Sequence, residues 1–184
     1  MNDYRNLATE LVSALRKEGA DACDVYIASS TGFNTTIRLG EIEKLQQSAS
    51  KGLGLRVFKN NAAASTFTTD FRDKTVGELV KETLEIVKVS NSDEANGLAP
   101  KELLGEHDGK LLLFDESIAA ITPERKIEMV KEMEETGRSF DKRITNSNGA
   151  SWSNSVGQVT LANSDGFVGQ YQATSASMSV SLLA

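Results

Sequence analysis

Phe33-Asn34-Thr35-Thr36-Ile37-Arg38-Leu39-Gly40-Glu41-Ile42-Glu43-Lys44-Leu45, with Gly52-Leu53-Gly54-Leu55-Arg56-Val57-Phe58 a few residues on, decides how this chain folds. Phe33, Thr35, Ile37 and Leu39 alternate with Asn34, Thr36 and Arg38, the period of two that turns one face of a strand inward. Gly40 breaks the run, Ile42 to Ser48 resumes it as a second strand, and Leu53, Leu55 and Val57 mark a third. Asn60-Asn61 offers the φ > 0 conformations a hairpin turn wants, and Ala64 to Thr69 supplies the return strand. Connections this short join antiparallel neighbours, because a parallel crossover takes about a dozen residues or more. Upstream, Val25 to Ala28 reads as a short strand closed by a turn at Ser29-Ser30-Thr31-Gly32.

Three helices frame these strands. Tyr4, Leu7, Ala8, Leu11, Val12 and Leu15 form an apolar stripe after Asp3, a capping residue, and Gly19 stands where a left-handed C-cap belongs, so helix is expected over 3–18. Val76, Leu79, Val80, Thr83, Leu84 and Val87 give a second helix, 75–89, one buried face. Thr122-Pro123-Glu124 combines a capping hydroxyl, a proline at the first helical position and an acid in the first turn. The helix it starts, 123–137, should bury Ile127, Val130 and Met133. Between the last two helices, Ser90 to Gly109 reads as a loop with a helical turn at Lys101 to Leu104, and Leu111 to Phe114 as a short strand or an apolar plug. The expected class is α+β: a mostly antiparallel, twisted sheet with the helices on one side. A first lobe spans 1–90, a connector 91–121 and a second lobe 122–184, with a weak echo of helix-then-strands between the lobes.

Composition narrows the function classes. The 184 residues are 39% hydrophobic and 25% charged, ordinary for a soluble globular chain. Neither a signal peptide nor a membrane helix fits the first residues, where Asp3 and Arg5 interrupt short apolar runs, so a cytoplasmic location is expected. A net charge of −6 without clustered Lys and Arg points away from nucleic acid. From Ile144 to Ala184 the only formal charge is Asp165, amid abundant Ser, Asn, Gly and Gln. That neutral sheet is either a plain solvated face or a surface suited to a partner, and its uncharged, proline-free edge favours self-association. Ser177 to Ala184 still alternates polar and apolar side chains, as a chain cut within a strand would.

Chemistry-bearing residues are scarce. His107 and Cys23 are the only members of their types, whereas a catalytic zinc takes about three ligands from His, Cys, Asp and Glu. His107, in Glu106-His107-Asp108-Gly109, reads as an exposed loop residue. Cys23, flanked by Asp24, reads as a small buried side chain rather than a nucleophile. Gly52-Leu53-Gly54 lacks both the third glycine and the helix of a dinucleotide loop, and its glycines read as places of close backbone approach. Glu41 and Glu43 share a strand face, where ion pairing with Arg38 or Arg56 outweighs acid–base work. Trp152 either closes the core under a turn or stands at a subunit contact. No catalytic, cofactor-binding or metal-binding residue is assigned.

The order Arg38-Leu39-Gly40-Glu41-Ile42-Glu43, Gly52-Leu53-Gly54-Leu55-Arg56-Val57-Phe58, Asp141-Lys142-Arg143-Ile144-Thr145-Asn146-Ser147-Asn148-Gly149-Ala150-Ser151 and Ala162-Asn163-Ser164-Asp165-Gly166-Phe167 resembles the N-terminal part of the TldD/PmbA family, the modulators of DNA gyrase. Residues Asp141 to Gly169 are similar to its PmbA (TldE) branch. The resemblance implies a subunit of a cytoplasmic zinc-dependent peptidase complex acting on peptides or small unfolded proteins. In that family the TldD branch carries a His-Glu-x-x-x-His zinc motif and the PmbA branch, lacking it, pairs with TldD. The motif is absent here, so zinc is expected only in a TldD-like partner or in residues beyond this sequence. The alternative is a non-enzymatic module that modulates a partner such as DNA gyrase or a toxin–antitoxin protein.

Overall fold

The computed structural model describes residues 2–105 and 111–184, so His107 lies outside the described residues. In chain order the elements are α1 (Arg5–Lys17), β1 (Ala22–Arg38), β2 (Glu41–Lys59), β3 (Ala62–Thr68), α2 (Asp73–Val89), a 3₁₀ turn (Lys101–Leu103), α3 (Glu116–Ala120), α4 (Pro123–Ser139), β4 (Asn146–Asn163) and β5 (Val168–Leu183). The strands form one antiparallel sheet in the order β3-β2-β1-β4-β5, the α+β class the alternation predicts.

Helix ends follow their sequence signals. Gly19 has φ +101°, its N–H donates to the Arg16 carbonyl, and Ala20 N–H reaches the Leu15 carbonyl. That pair of bonds is the Schellman closure only a residue free to adopt positive φ provides cheaply. Thr122 Oγ1 accepts from Arg125 N–H at 3.3 Å, with Pro123 opening α4. The Asp3 carboxylate accepts from Arg5 N–H at 3.0 Å, while Tyr4 stands at the N-cap position itself. Both hairpin turns, Leu39-Gly40 and Asn60-Asn61, carry two consecutive positive φ angles, the backbone twist that suits antiparallel partners.

Four expectations are corrected. Ser29-Ser30-Thr31-Gly32 is no turn: β1 runs through it unbroken. Likewise β2 runs from Glu41 to Lys59 without an interruption before Gly52. Small polar residues read as a turn in isolation, but ladder pairing with neighbouring strands overrides that local preference. Leu111 to Phe114 is neither strand nor plug, since Leu112 is 90% exposed and the whole run lies in the open. Nor do Gly52 and Gly54 mark a close approach; a methyl group at Gly52 would meet nothing within 4 Å, and at Gly54 only ordinary contacts of 3.8 Å.

Two compact units are assembled from interleaved stretches. The first, from 1–29, 50–111 and 158–171, is built on an aliphatic cluster. It joins Leu11 and Leu15 of α1, Val25 and Ile27 of β1, Leu53, Leu55 and Val57 of β2, and Leu79, Leu84 and Val87 of α2. The second, from 30–49, 112–157 and 172–184, centres on Phe33, Ile37, Val130, Ala150 and Trp152.

Candidate functional site

Two of the four motifs that carried the family resemblance, Arg38 to Glu43 and Asp141 to Ser151, meet in the second unit around the β1–β2 turn. Leu39 and Gly40 both hold positive φ, 53° and 84°, which leaves their N–H groups pointing into one concavity. Successive amides so arranged bind an anion. Here the anion is the side chain of Glu134 on α4: Oε1 accepts from Leu39 N–H and Oε2 from Gly40 N–H, each at 2.9 Å. Glu134 is 1% exposed. Burial pushes its pKa up, but hydrogen bonds from Ser147 and from the Gly40 and Leu39 amides, together with the charge of Arg138, outweigh it and hold the carboxyl below the ordinary glutamate value.

The Asp141-to-Ser151 motif meets the same turn. Arg38 Nε donates to the Ser147 carbonyl at 3.0 Å, and Ser147 Oγ accepts from Gly149 N–H at 2.9 Å. Gly149 has φ +106°, and a methyl group there would stand 3.0 Å from the Ile37 carbonyl. Two separate sequence motifs thus serve one piece of architecture: a hairpin turn clamped by a buried carboxylate and a glycine that admits the neighbouring strand.

Of the remaining sequence candidates, Glu43 adjoins the turn through Arg38 and the others lie apart from it. Arg38 approaches Glu43 at 4.0 Å, the ion pair anticipated for that strand. Arg56 pairs with Asp24 instead of a β2 glutamate, through Nε at 2.9 Å from Oδ2. Trp152 is buried, its indole N–H donating to Asn154 Oδ1 at 2.8 Å, which places it in the core of the second unit. Cys23 is buried in the first unit, where desolvation above all pushes its thiol up to about 11.

These donors do not fit a zinc ion. Cys23 is enclosed in the aliphatic cluster of the first unit, with Sγ 3.7 Å from the Val12 carbonyl. Among the described residues no three His, Cys, Asp or Glu side chains are grouped as metal ligands would be. Glu134 spends both oxygens on backbone amides.

Sequence reading missed both Glu134 and Lys126, which are buried on α4 with Val130, while the expected Ile127 and Met133 are half-buried, Ile127 against the Phe33–Trp152 cluster. Lys126 is 5% exposed, with Nζ 5.0 Å from the centre of the Phe33 ring, and desolvation lowers its pKa. The signal was present: 126, 130 and 134 are spaced i, i+4, i+8 about the apolar Val130. Among the described residues no helix is long and apolar enough to cross a membrane.

Fold and site together define an α+β scaffold in which the recurring motifs hold turns and strand junctions. Residues 23–87 match the family model of PmbA/TldA metallopeptidase domain 1, and residues 116–184 match that of the PmbA/TldA metallopeptidase central domain. The chain belongs to the PmbA/TldD metallopeptidase family. It is 30% identical over 183 residues to the metalloprotease PmbA of Escherichia coli O157:H7, covering 98% of this chain and 40% of the relative. A PmbA homolog from Haemophilus influenzae is 28% identical over 181 residues, again with 98% and 40% coverage. Among solved structures, a protein from Bacteroides thetaiotaomicron described as a modulator of DNA gyrase superposes with a TM-score of 0.84 at 26% identity, over 99% of this chain and 41% of that one. TldE from Thermococcus kodakarensis shares the fold, with a TM-score of 0.79 at 16% identity over 95% and 38% of the two chains. The chain therefore spans about 40% of the length of the curated relatives first matched.

Proposed function

We propose that this chain is the non-catalytic, PmbA-like part of a cytoplasmic zinc peptidase complex, and that it pairs with a TldD-like subunit that supplies the metal. The observation that carries the reading is the use of its family motifs. Arg38 to Gly40 and Ser147 to Gly149 are engaged in clamping a turn through Glu134 and Arg38, which leaves them no free donor set for chemistry. Support comes from curated relatives that are themselves named for PmbA. On this reading peptides or small unfolded proteins are cut at the partner's zinc, and the present chain helps to shape the chamber that receives them.

The assembly surface we assign is the edge strand β5. It carries no charged residue and no proline, the devices that usually keep sheet edges apart. Part of it is already used within the chain, since Thr174 N–H donates to the Leu113 carbonyl at 2.9 Å. On this reading the same edge should drive self-association when no partner is present. Mixing the chain with a TldD-like subunit of the same organism should give a heteromeric peak in size-exclusion chromatography with light scattering. Ser177→Lys, an exposed position on β5, should weaken it. Two separate peaks at every concentration would remove the reading.

The gyrase description of the Bacteroides neighbour favours a second reading, a non-enzymatic modulator. A change in gyrase supercoiling on adding this chain, without any TldD-like subunit, would support it.

A further inference from the structure

The geometry points to a docking groove between α1 and α2 that takes a basic, amphipathic helical segment of a partner protein. The inference stands on the first unit alone and does not depend on the peptidase reading. The two helices leave an open trough of about 400 Å³ between them. Its floor is apolar, formed by Leu7, Leu11, Ala14, Phe71, Val76 and Val80. The volume lies in the range that binding clefts occupy and accommodates a few large anchor side chains.

Two features of the trough identify its occupant. First, the rim is acidic on balance: Glu10 on α1, Glu18 at its C-cap and Asp73 on α2 are exposed along it, against Lys81 in the lining and Lys51, whose Nζ stands 4.5 Å over the Phe71 ring. An apolar floor with a carboxylate rim complements a helix with Leu-like anchors at i, i+3 and i+4 and Lys or Arg beside them. Second, Gly77 sits in the wall of the trough within α2, exposed, and a methyl group there would meet nothing within 4 Å. A helical glycine costs about 1 kcal/mol relative to alanine, and no neighbour in this structure requires it. It keeps the trough wide where an incoming backbone would lie closest.

A second copy of this chain is a poor occupant. The apolar stripes of α1 and α2 are committed to the aliphatic core, and α4 packs its own against Phe33 and Trp152. Leu111 to Phe114 is exposed but lies outside any helix, so helical anchors with basic flanks come from a partner.

The test uses isothermal titration with a defined probe, acetyl-Lys-Leu-Leu-Lys-Lys-Leu-Leu-Lys-Lys-Leu-Leu-Lys-amide, and its counterpart with Glu at every Lys position. The basic peptide should bind with one-to-one stoichiometry and the acidic one should not. Gly77→Phe fills the trough from open space, improves helix propensity and should leave the circular dichroism unchanged while weakening binding at least about tenfold. Glu10→Lys with Glu18→Lys should weaken it to a similar extent, whereas Glu124→Lys with Glu135→Lys makes the same charge change at exposed sites on α4 and should alter it less than about twofold. Undiminished binding to Gly77→Phe, or equal losses from the two charge pairs, would overturn the proposal. So would a dimer of the chain that Gly77→Phe dissociates, since that would make a second copy the occupant.

Discussion

The two units are stabilised in different ways. In the first, α1, α2 and residues of four strands enclose a continuous aliphatic cluster, and its buried carboxylate, Asp24, is paired with an arginine, Arg56, whose side chain is 51% exposed. In the second, a smaller cluster around Phe33 and Trp152 is flanked by two buried ionisable side chains of one helix, Lys126 and Glu134. The first unit can lose or gain methyl groups in proportion to the area buried. The second depends on particular atoms, because a buried charge is stable only while its hydrogen-bond partners are in place. The motifs by which the family is recognised divide between the two: Gly52 to Phe58 and Ala162 to Phe167 lie in the first unit, Arg38 to Glu43 and Asp141 to Ser151 in the second.

The largest expected effect belongs to the aliphatic side of the comparison. Leu55 is 1% exposed in the first unit, and Leu55→Ala should cost about 2–5 kcal/mol in denaturant unfolding by leaving a cavity. A loss below about 1 kcal/mol would mean that the cluster is loosely packed and that the contrast between the units is overstated.

Next comes Glu134→Gln, expected to cost about 1–3 kcal/mol, because an amide puts an N–H where an amide N–H of the turn needs an acceptor. The same variant sharpens the contrast through pH. The folded state holds Glu134 below the ordinary glutamate value, so the unfolded chain binds the proton first as pH falls. The stabilisation is complete above that ordinary value and is lost as pH drops through the lowered folded value. Wild-type stability should therefore decline across that window more steeply than that of Glu134→Gln, with amide exchange at Leu39 and Gly40 accelerating first. Parallel pH profiles would contradict the carboxylate clamp.

The smallest effect tests the other buried charge. Lys126 is desolvated over Phe33 with its pKa lowered. Lys126→Met keeps the length and removes the charge, so thermal unfolding should show a change within about 1 kcal/mol, on the stabilising side. A clear destabilisation would show that the ammonium has a partner whose contribution exceeds its desolvation.

These same regions decide what could be read in advance. Helix positions, the Gly19 closure, the Thr122-Pro123 start and the Asn60-Asn61 turn were legible because each is set by residues within one helical turn or one hairpin. The length of β1 and β2 was not, because Ser29 to Gly32 and Ser48 to Lys51 are held extended within strands by sheet neighbours rather than by their own local turn preference. The clamp was harder still. Hydropathy assigns Lys126 and Glu134 to a solvated face, and only the meeting of α4 with a turn almost a hundred positions earlier makes them interior. His107, the sole histidine, falls outside the described residues, and its placement on an exposed loop stays an expectation.

The central claim, that this chain supports peptide hydrolysis without performing it, is tested most directly by assaying it alone. The purified chain, saturated with zinc and given a fluorogenic peptide mixture, should show no turnover above buffer. Adding a TldD-like subunit of the same organism should produce activity that a chelator abolishes. Zinc-dependent turnover by the chain alone, surviving rechromatography and lost on replacing one of its own residues, would contradict the account.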